Sequence, residues 1–477
     1  MLATLLLLAV SLGGVFAGCH VSTPGNNDEL LLKGTVLTSD GAIHNGYVHV
    51  RSGKIVNVGS QCQLAQWQVE RHNTTIIECR DSVISPGFIN LHEHIAYSTV
   101  RPLNYTGELY DHRHDWRVGA RNHTMLDAPV NGTEADATAW GELRHIFSGT
   151  TSIVGGYMSP GLTRNLDFVE GLEEGLSPPL DTWSVFPLDD SAGILRNGDC
   201  DYGPEAVDEN TAGKAYRFMG HVAEGVDAEA RNEFKCLSSK TFDVTPRADG
   251  SGISVDIMAP NVVLEHAVGL TEEDFDLVAK RGAKVVWAPR SNIFLYGKTL
   301  NVTYLLDAGI EVALGTDWLP SGSATMSREA ACALYATKKS YDFVLEAKTI
   351  WEMMTINAAK VAGFEKQLGS LEPGKVADIV IFGGESSGDA YSQAIYSPEE
   401  DIELVMRGGK ILLAAESLES LTTTSCETLD FGENTKIACV KDELNSTFSD
   451  FETSLQGVYP AILPGIPPDE PMCDPSR

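Results

Sequence analysis

Positive charge is scarce in this sequence. Its 477 residues carry 35 Lys and Arg against 66 Asp and Glu, a formal net charge of −31. A surface that acidic repels nucleic acid and anionic lipid, so neither is expected as a partner. The apolar run that opens the chain, M-L-A-T-L-L-L-L-A-V-S-L-G-G-V-F-A at 1–17, falls short of the ~20 residues of a bilayer span. It also lacks the basic residue that usually precedes a signal's apolar stretch, but the small residues of V-F-A before Gly18 suit signal peptidase. The run is read as a cleaved signal peptide. A membrane anchor is one alternative. The other is lipidation of Cys19, since F-A-G-C at 16–19 resembles a lipoprotein box.

Histidine is sparse as well. Twelve scattered at random would be expected to give fewer than one H-x-H pair, yet there are two, His92/His94 and His112/His114. Cysteine, in contrast, is well represented. Nine cysteines in a chain bound for an oxidising compartment imply disulfides and at least one unpaired thiol. The expected bridges are Cys62–Cys79, Cys200–Cys236 and Cys426–Cys439. Cys19 and Cys473 would then tie the termini, and Cys332, in the apolar helical context E-A-A-C-A-L-Y-A, would stay free as a small hydrophobe. Six N-x-[ST] sequons, at Asn73, Asn104, Asn122, Asn131, Asn301 and Asn445, favour a secreted, extracellular glycoprotein. The internal K-D-E-L at 441–444 is no retention signal, because that receptor reads a free C-terminus.

Two regions of short strands separated by glycine-rich turns, E-L-L-L-K-G-T-V-L-T onward and A-D-I-V-I-F with I-E-L-V-M-R-G-G-K-I-L-L, predict a small β-sandwich assembled from both ends of the chain. Between them, short apolar runs alternate with helical stretches, which is the pattern of parallel strands buried on both faces. Eight such runs give an α/β fold, a (β/α)8 TIM barrel. The expected layout is a signal at 1–17, sandwich at 28–84, barrel at 85–370, sandwich again at 371–445 and a proline-rich tail at 446–477 that wraps the surface without regular structure. Residues 95–148 read as a long insertion after the first strand, placed to shape the substrate pocket. In L-T-E-E-D-F-D-L-V-A-K-R-G at 270–282, Thr271 is expected to cap a helix that Gly282 stops.

Polar residues recur where the predicted barrel strands end: His92 and His94, His221, His266 and Asp317. Residues i and i+2 of a strand share a face, so His92 and His94 can both point into the barrel mouth. With His221 and Asp317 they would form a nitrogen and carboxylate shell suited to Zn2+ or Fe2+. A single histidine at a strand end is more often a hydrogen-bonded structural group, and the coincidence of five is what argues for a site. His112 and His114 sit in the charged segment D-H-R-H-D with no apolar strand before them, and there pocket lining is the better reading.

The ordered motifs P-G-F-I-N-L-H-E-H, G-T-T, H-V-A-E-G, L-E-H-A-V-G-L, P-R-S-N-I-F-L-Y-G, L-G-T-D-W and T-I-N-A-A-K-V-A-G…G-S-L-E-P-G-K-V-A-D-I-V-I-F over about residues 28–415 resemble the amidohydrolase superfamily. H-V-A-E-G is similar to the branch of cytosine and guanine deaminases and triazine hydrolases. The resemblance implies His92, His94, His221 and Asp317 as ligands of one divalent metal, Zn2+ or Fe2+. It implies Glu224 as proton shuttle, His266 as the group that orients water and substrate, and Asp317 as acceptor of the water's proton. The bridging lysine or glutamate of binuclear branches is missing from D-T-W-S-V-F-P-L, although Asp189 and Asp190 follow it. Asn292 resembles a position that orients substrate or site, with a plain turn residue as the alternative. Trp318 either stacks on a flat ring or packs the rim, and Arg290 either binds a substrate oxygen or is structural.

These readings predict a secreted, mononuclear, metal-dependent hydrolase of a small molecule's non-peptide carbon–nitrogen bond, by deamination or amide cleavage. The alternatives are a binuclear amidase, peptidase or phosphotriesterase-like hydrolase on the same barrel, and a non-catalytic binding protein.

Overall fold

A computed structural model describes residues 18–64, 73–130, 132–156, 161–167, 175–177, 182–184, 186–188, 192–204, 206–245, 253–384 and 388–477. The expected signal at 1–17, the sequon at Asn131 and the acids Asp189 and Asp190 lie outside these residues. Among them, no helix is long and apolar enough to cross a membrane.

The short apolar runs form strands: β1 (Phe88–Asn90), β2 (Thr150–Ile153), β3 (Arg164–Asn165), β4 (Thr182–Ser184), β5 (Phe218–Val222), β6 (Val262–His266), β7 (Lys284–Trp287) and β8 (Val312–Leu314). β1 to β3 pair in parallel, as do β4 to β8. The two sheets meet where Leu91 N–H donates to the Leu314 carbonyl at 3.3 Å and Asp317 N–H donates to the His92 carbonyl at 2.8 Å. Strand residues divide by alternation between two apolar layers. Ile89, Met219, Val263, Val286 and Ala313 share one buried cluster. Phe218, Val262, Leu264, Val285 and Leu314 face the helices in another. The strands are apolar on both faces because both faces are covered. Gly315 permits the close approach of β8 to β1, since a Cβ there would lie 2.6 Å from that of His92.

Six helices matter for the site: α1 (Arg113–Val118), α2 (Glu134–Phe147), α3 (Ala228–Leu237), α4 (Glu272–Arg281), α5 (Pro289–Tyr296) and α6 (Met326–Tyr341). α4 starts and stops where its signals predict. Asp274 accepts from the N–H and hydroxyl of Thr271 at 2.9 and 2.8 Å, and Gly282 ends the helix at φ 71°. α2 corrects the expected insertion. It buries Trp140, Leu143 and Phe147 and carries the chain from β1 to β2, so the added loop ends before Glu134.

The two terminal β regions join in one ten-stranded hydrogen-bonded sheet. Its central seam pairs Thr74–Pro86 antiparallel with Ile379–Phe382. Leu30, Val48 and Ile77 from the first region share one buried cluster with Ile379, Leu404 and Met406 from the second. A buried ion pair fastens this sheet to the parallel strands: Arg164 of β3 donates to both Asp378 oxygens at 2.6 and 2.8 Å.

The disulfides are Cys19–Cys79, Cys200–Cys236, Cys332–Cys473 and Cys426–Cys439, and Cys62 is free and exposed. Two of the three expected bridges are present. Cys79 pairs with Cys19 instead of Cys62, because the strand Gly18–Thr23 lies antiparallel to Thr74–Pro86 with Cys19 opposite Cys79. Cys332 is therefore not the unpaired thiol, and the two termini are not tied to each other. A sulfur held in the Cys19 disulfide is also unavailable for lipidation. The tail is more ordered than expected. It contains the helix Phe448–Ser454 and buries Tyr459, whose carbonyl accepts from Trp140 Nε1 at 2.7 Å.

Candidate metal centre

His92, His94, His221 and Asp317 converge. One ligand atom from each lies within 4.8 Å of the others, and only His94 is less than fully buried. Asp317 Oδ1 is 3.2 Å from His92 Nε2 and 3.4 Å from His94 Nε2, while Oδ2 accepts from Ser291 Oγ at 2.5 Å. The strands bring the residues to one place, and unusual backbone aims several of them. Ala223, His266, Ala267 and Asp317 all have positive φ, at 55°, 66°, 53° and 59°. Such left-handed non-glycine residues cost energy and concentrate at functional sites. Consecutive strand residues point to opposite faces, yet Glu265 and His266 both serve this site because the chain turns at His266.

Glu265 is the functional residue that motif reading missed. Its buried carboxylate lies 2.9 Å from His221 Nδ1 and 3.4 Å from His92 Nδ1. It thereby orients both rings with Nε2 toward the cluster, the arrangement that metal-bound histidines need from their outer partner. A signal was available in L-E-H-A, an acid inside an apolar strand, since a buried charge requires partners. Burial pushes the His221 imidazole down to about 4, and Glu265 only partly offsets it. For His92, burial also lowers the value, but Glu265 and Asp317 outweigh it and raise the imidazole well above its usual range. Burial would raise Asp317, yet hydrogen bonds from His92 and His94 hold it well below the usual carboxylate range. Three imidazoles and one carboxylate converging at a largely buried site fit a borderline divalent ion such as Zn2+.

The tautomer of His266 follows from a chain of donors. Trp287 Nε1 can only donate, and it does so to Thr299 Oγ1 at 2.6 Å. The Thr299 hydroxyl donates to Asn292 Oδ1 at 3.3 Å, and in this orientation the Asn292 amide N–H points to His266 Nδ1 at 3.1 Å. Neutral His266 therefore carries its proton on Nε2. That atom is buried without a hydrogen-bond partner among the described residues. Burial holds this imidazole down at about 4, so it stays neutral at neutral pH. Asn292 lies within α5 and orients His266; it is not a turn residue.

Glu224, three residues after His221, lines a cavity of about 250 Å³ with His94, Tyr97, Trp116, Arg117, Phe186, His221, Asp317 and Trp318. Tyr296 O–H donates to Glu224 Oε1 at 2.7 Å, and Trp116 Nε1 donates to the Tyr296 oxygen at 2.9 Å. Trp318 lines the cavity and also packs, stacked on Trp116 with ring centroids 5.1 Å apart. The added loop shapes this pocket through Tyr97, Trp116 and Arg117, but not through His112 and His114, which line none of it. His112 caps α1 by accepting the His114 N–H at 3.1 Å, and its Nε2 is 3.4 Å from Glu233. Arg290 does not line this cavity either. It is buried, donating to Ser323 Oγ at 2.6 Å and to the Pro471 carbonyl, with Glu470 at 3.2 Å. It anchors the tail.

A family model described as the amidohydrolase family matches residues 219–412. A 5-methylthioadenosine/S-adenosylhomocysteine deaminase of Moorella thermoacetica is 26% identical over 439 residues, covering 82% of this chain and 96% of that one. An adenosine deaminase of Xanthomonas campestris, solved with bound zinc, superposes with TM-score 0.57 at 20% identity over 82% of this chain and 94% of its own. A triazine hydrolase of Arthrobacter aurescens gives TM-score 0.61 at 18% identity, over 83% and 97%. The chain resembles the amidohydrolase superfamily in the branch of deaminases and triazine hydrolases, as its motifs predicted.

Proposed function

We propose that the protein is a secreted, mononuclear, zinc-dependent deaminase of a small aminoheterocycle, built on a closed (β/α)8 barrel with a β-sandwich beside it. The chain is a metal-dependent hydrolase acting on carbon–nitrogen bonds other than peptide bonds. The observation that carries the finer reading is the convergence of His92, His94, His221 and Asp317 beside Glu224 and His266 at one cavity. Aromatic walls from Tyr97, Trp116, Phe186 and Trp318 suit a flat ring over a flexible amide. Deaminases among its relatives point the same way.

Zinc seated among the four ligands would lower the pKa of a bound water toward about 7. The chain's own groups do the rest. Asp317 stands ready to accept a proton from that water, and Ser291 steadies its outer oxygen. His266 Nε2–H donates toward the attacking oxygen or the ring atom that becomes negative. Glu224 carries a proton to the exocyclic nitrogen, which departs as ammonia while the ring carbon keeps the water's oxygen. Secretion is supported by the four disulfides. Asn73, Asn104, Asn122 and Asn445 are exposed enough to carry glycans. Asn301 is half-buried and caps a helix through its side chain.

A binuclear site is the second reading, because His221, Glu224 and His266 form another possible metal group. Both groups draw on His221, whose Nδ1 faces Glu265, so its Nε2 would have to serve both ions. That favours one. The test is ammonia release by the purified, zinc-loaded protein from a panel of aminoheterocycles, amides and lactams. Release from aminoheterocycles that disappears in Glu224→Gln is expected; release from amides alone would overturn the deaminase reading.

A further inference from the structure

We propose that Tyr296 is a positioning residue for Glu224, pinning one carboxylate oxygen so that proton transfer runs through the other. The inference rests on Glu224 being the proton shuttle. Tyr296 is fully buried at the end of α5, and its O–H lies 2.7 Å from Glu224 Oε1. Taken alone, that contact has no fixed direction, since a phenol can donate or accept and a carboxyl group can carry a proton. Trp116 and the charge of the carboxylate together narrow the choice. Its indole N–H is 2.9 Å from the phenol oxygen, and an indole nitrogen has no acceptor capacity. The phenol oxygen accepts from Trp116, and its single proton donates to Glu224 Oε1, the direction that an ionised carboxylate, which can only accept, requires. A proton carried by Glu224 then resides on Oε2.

The rest of the local structure holds the same residue from other sides. Ala223 at φ 55° and Gly225 at φ 154° bend the main chain around Glu224. Arg113 N–H donates to the Glu224 carbonyl at 3.0 Å, and His112 bridges Gly225 across the loop. These contacts fix the backbone and leave the carboxylate to rotate about its own side-chain bonds. Tyr296 supplies the constraint that is missing. Trp116 also stacks on Trp318, the neighbour of Asp317, so one indole both walls the cavity and polarises the group that orients the shuttle. A proton transfer with one competent oxygen needs that oxygen placed, and a misplaced catalytic group loses rate without losing substrate affinity.

The test compares Tyr296→Phe, Trp116→Phe and the double variant in the zinc-loaded full chain. With an aminoheterocycle that the wild type deaminates, Y296F is expected to lower kcat by about tenfold or more while KM stays within about twofold. The limb of the pH–rate profile that Glu224→Gln abolishes should move to higher pH in Y296F, because a carboxylate that loses a donor is easier to protonate. W116F should lower kcat less, and the double variant should be no slower than Y296F, since the two act as one unit. Arg113 and Arg117, whose charges act on Glu224, and His221 and His266, whose ring nitrogens lie within 4.8 Å of its carboxylate, are untouched in every variant. An infrared pH titration of the carboxyl band missing from E224Q reads the same contact without turnover, and its midpoint should rise in Y296F. Wild-type kcat together with a wild-type titration in Y296F would overturn the proposal; if Y296F does not fold, the same unchanged pair in W116F does so. A wild type that deaminates nothing sinks the deaminase reading alone, and the infrared titration still decides the role of Tyr296.

Discussion

The two H-x-H pairs of this chain share spacing but stand in opposite electrostatic surroundings. His92 faces the carboxylates of Glu265 and Asp317. His112 and His114 flank Arg113, and burial together with that guanidinium pushes His114 down to about 2. The acid that faces the His112 ring is already committed. Glu233 forms a buried ion pair with Arg113 and accepts the Ala223 N–H at 3.0 Å, and Arg113 holds its carboxyl down at about 2 after opposing burial. A divalent cation gains from the first setting and is repelled by the second. Histidine spacing proposes a metal site; the sign of the charge behind the rings decides it. The second pair instead clamps the loop that carries Trp116 onto the strand end that carries Glu224, through the bridge from His112 to Gly225.

Variants sharpen this contrast. The largest effect is expected at Asp317, the one carboxylate in the ligand set: Asp317→Asn should abolish turnover and bound metal in a protein that still folds, measured by ammonia release and elemental analysis. Glu233→Gln should do the reverse. It leaves the Arg113 charge buried without its ion-pair partner, so a urea titration should show a loss of about 3–5 kcal/mol while folded protein keeps its metal. Glu265→Gln acts on the orientation of His92 and His221, and competition with a chelator should show affinity reduced by about 10–100-fold. The last effect is graded with pH and is slight near neutrality. His114 has an ordinary value of 6.5 and is held at about 2 in the fold, so below 6.5 the unfolded chain binds a proton that the folded chain refuses. Stability is therefore whole above 6.5 and is lost as pH falls from there, by up to roughly 1.4 kcal/mol per pH unit. His114→Leu should flatten that acid slope in denaturant melts.

Much of the site was legible because its residues end apolar runs. His92, His94, His221, His266 and Asp317 could each be placed by counting strands, and the same alternation announced the parallel sheet. Glu265 was half legible, as an acid inside a buried strand whose partners lay on other strands. Tyr296, Trp116 and Ser291 were not legible, since each acts through hydrogen bonds to residues distant in the sequence. Arg290 shows the converse. Its place beside the P-R-S-N motif suggested a substrate contact, but the tail supplies Glu470 and the Pro471 carbonyl, which no local pattern reveals. The pairing expected for Cys79 failed for a similar reason: a short loop to Cys62 was preferred, whereas the register of the strand Gly18–Thr23 put Cys19 opposite Cys79.

The most direct test is the metal content of the purified wild type, His92→Ala and His112→Asn, determined by elemental analysis of folded protein; asparagine keeps the helix cap that His112 provides. One equivalent of divalent metal in the wild type and in His112→Asn, with none in His92→Ala, is the predicted result. Metal retained by His92→Ala, or lost from a folded His112→Asn, would contradict the assignment of the site to the first pair.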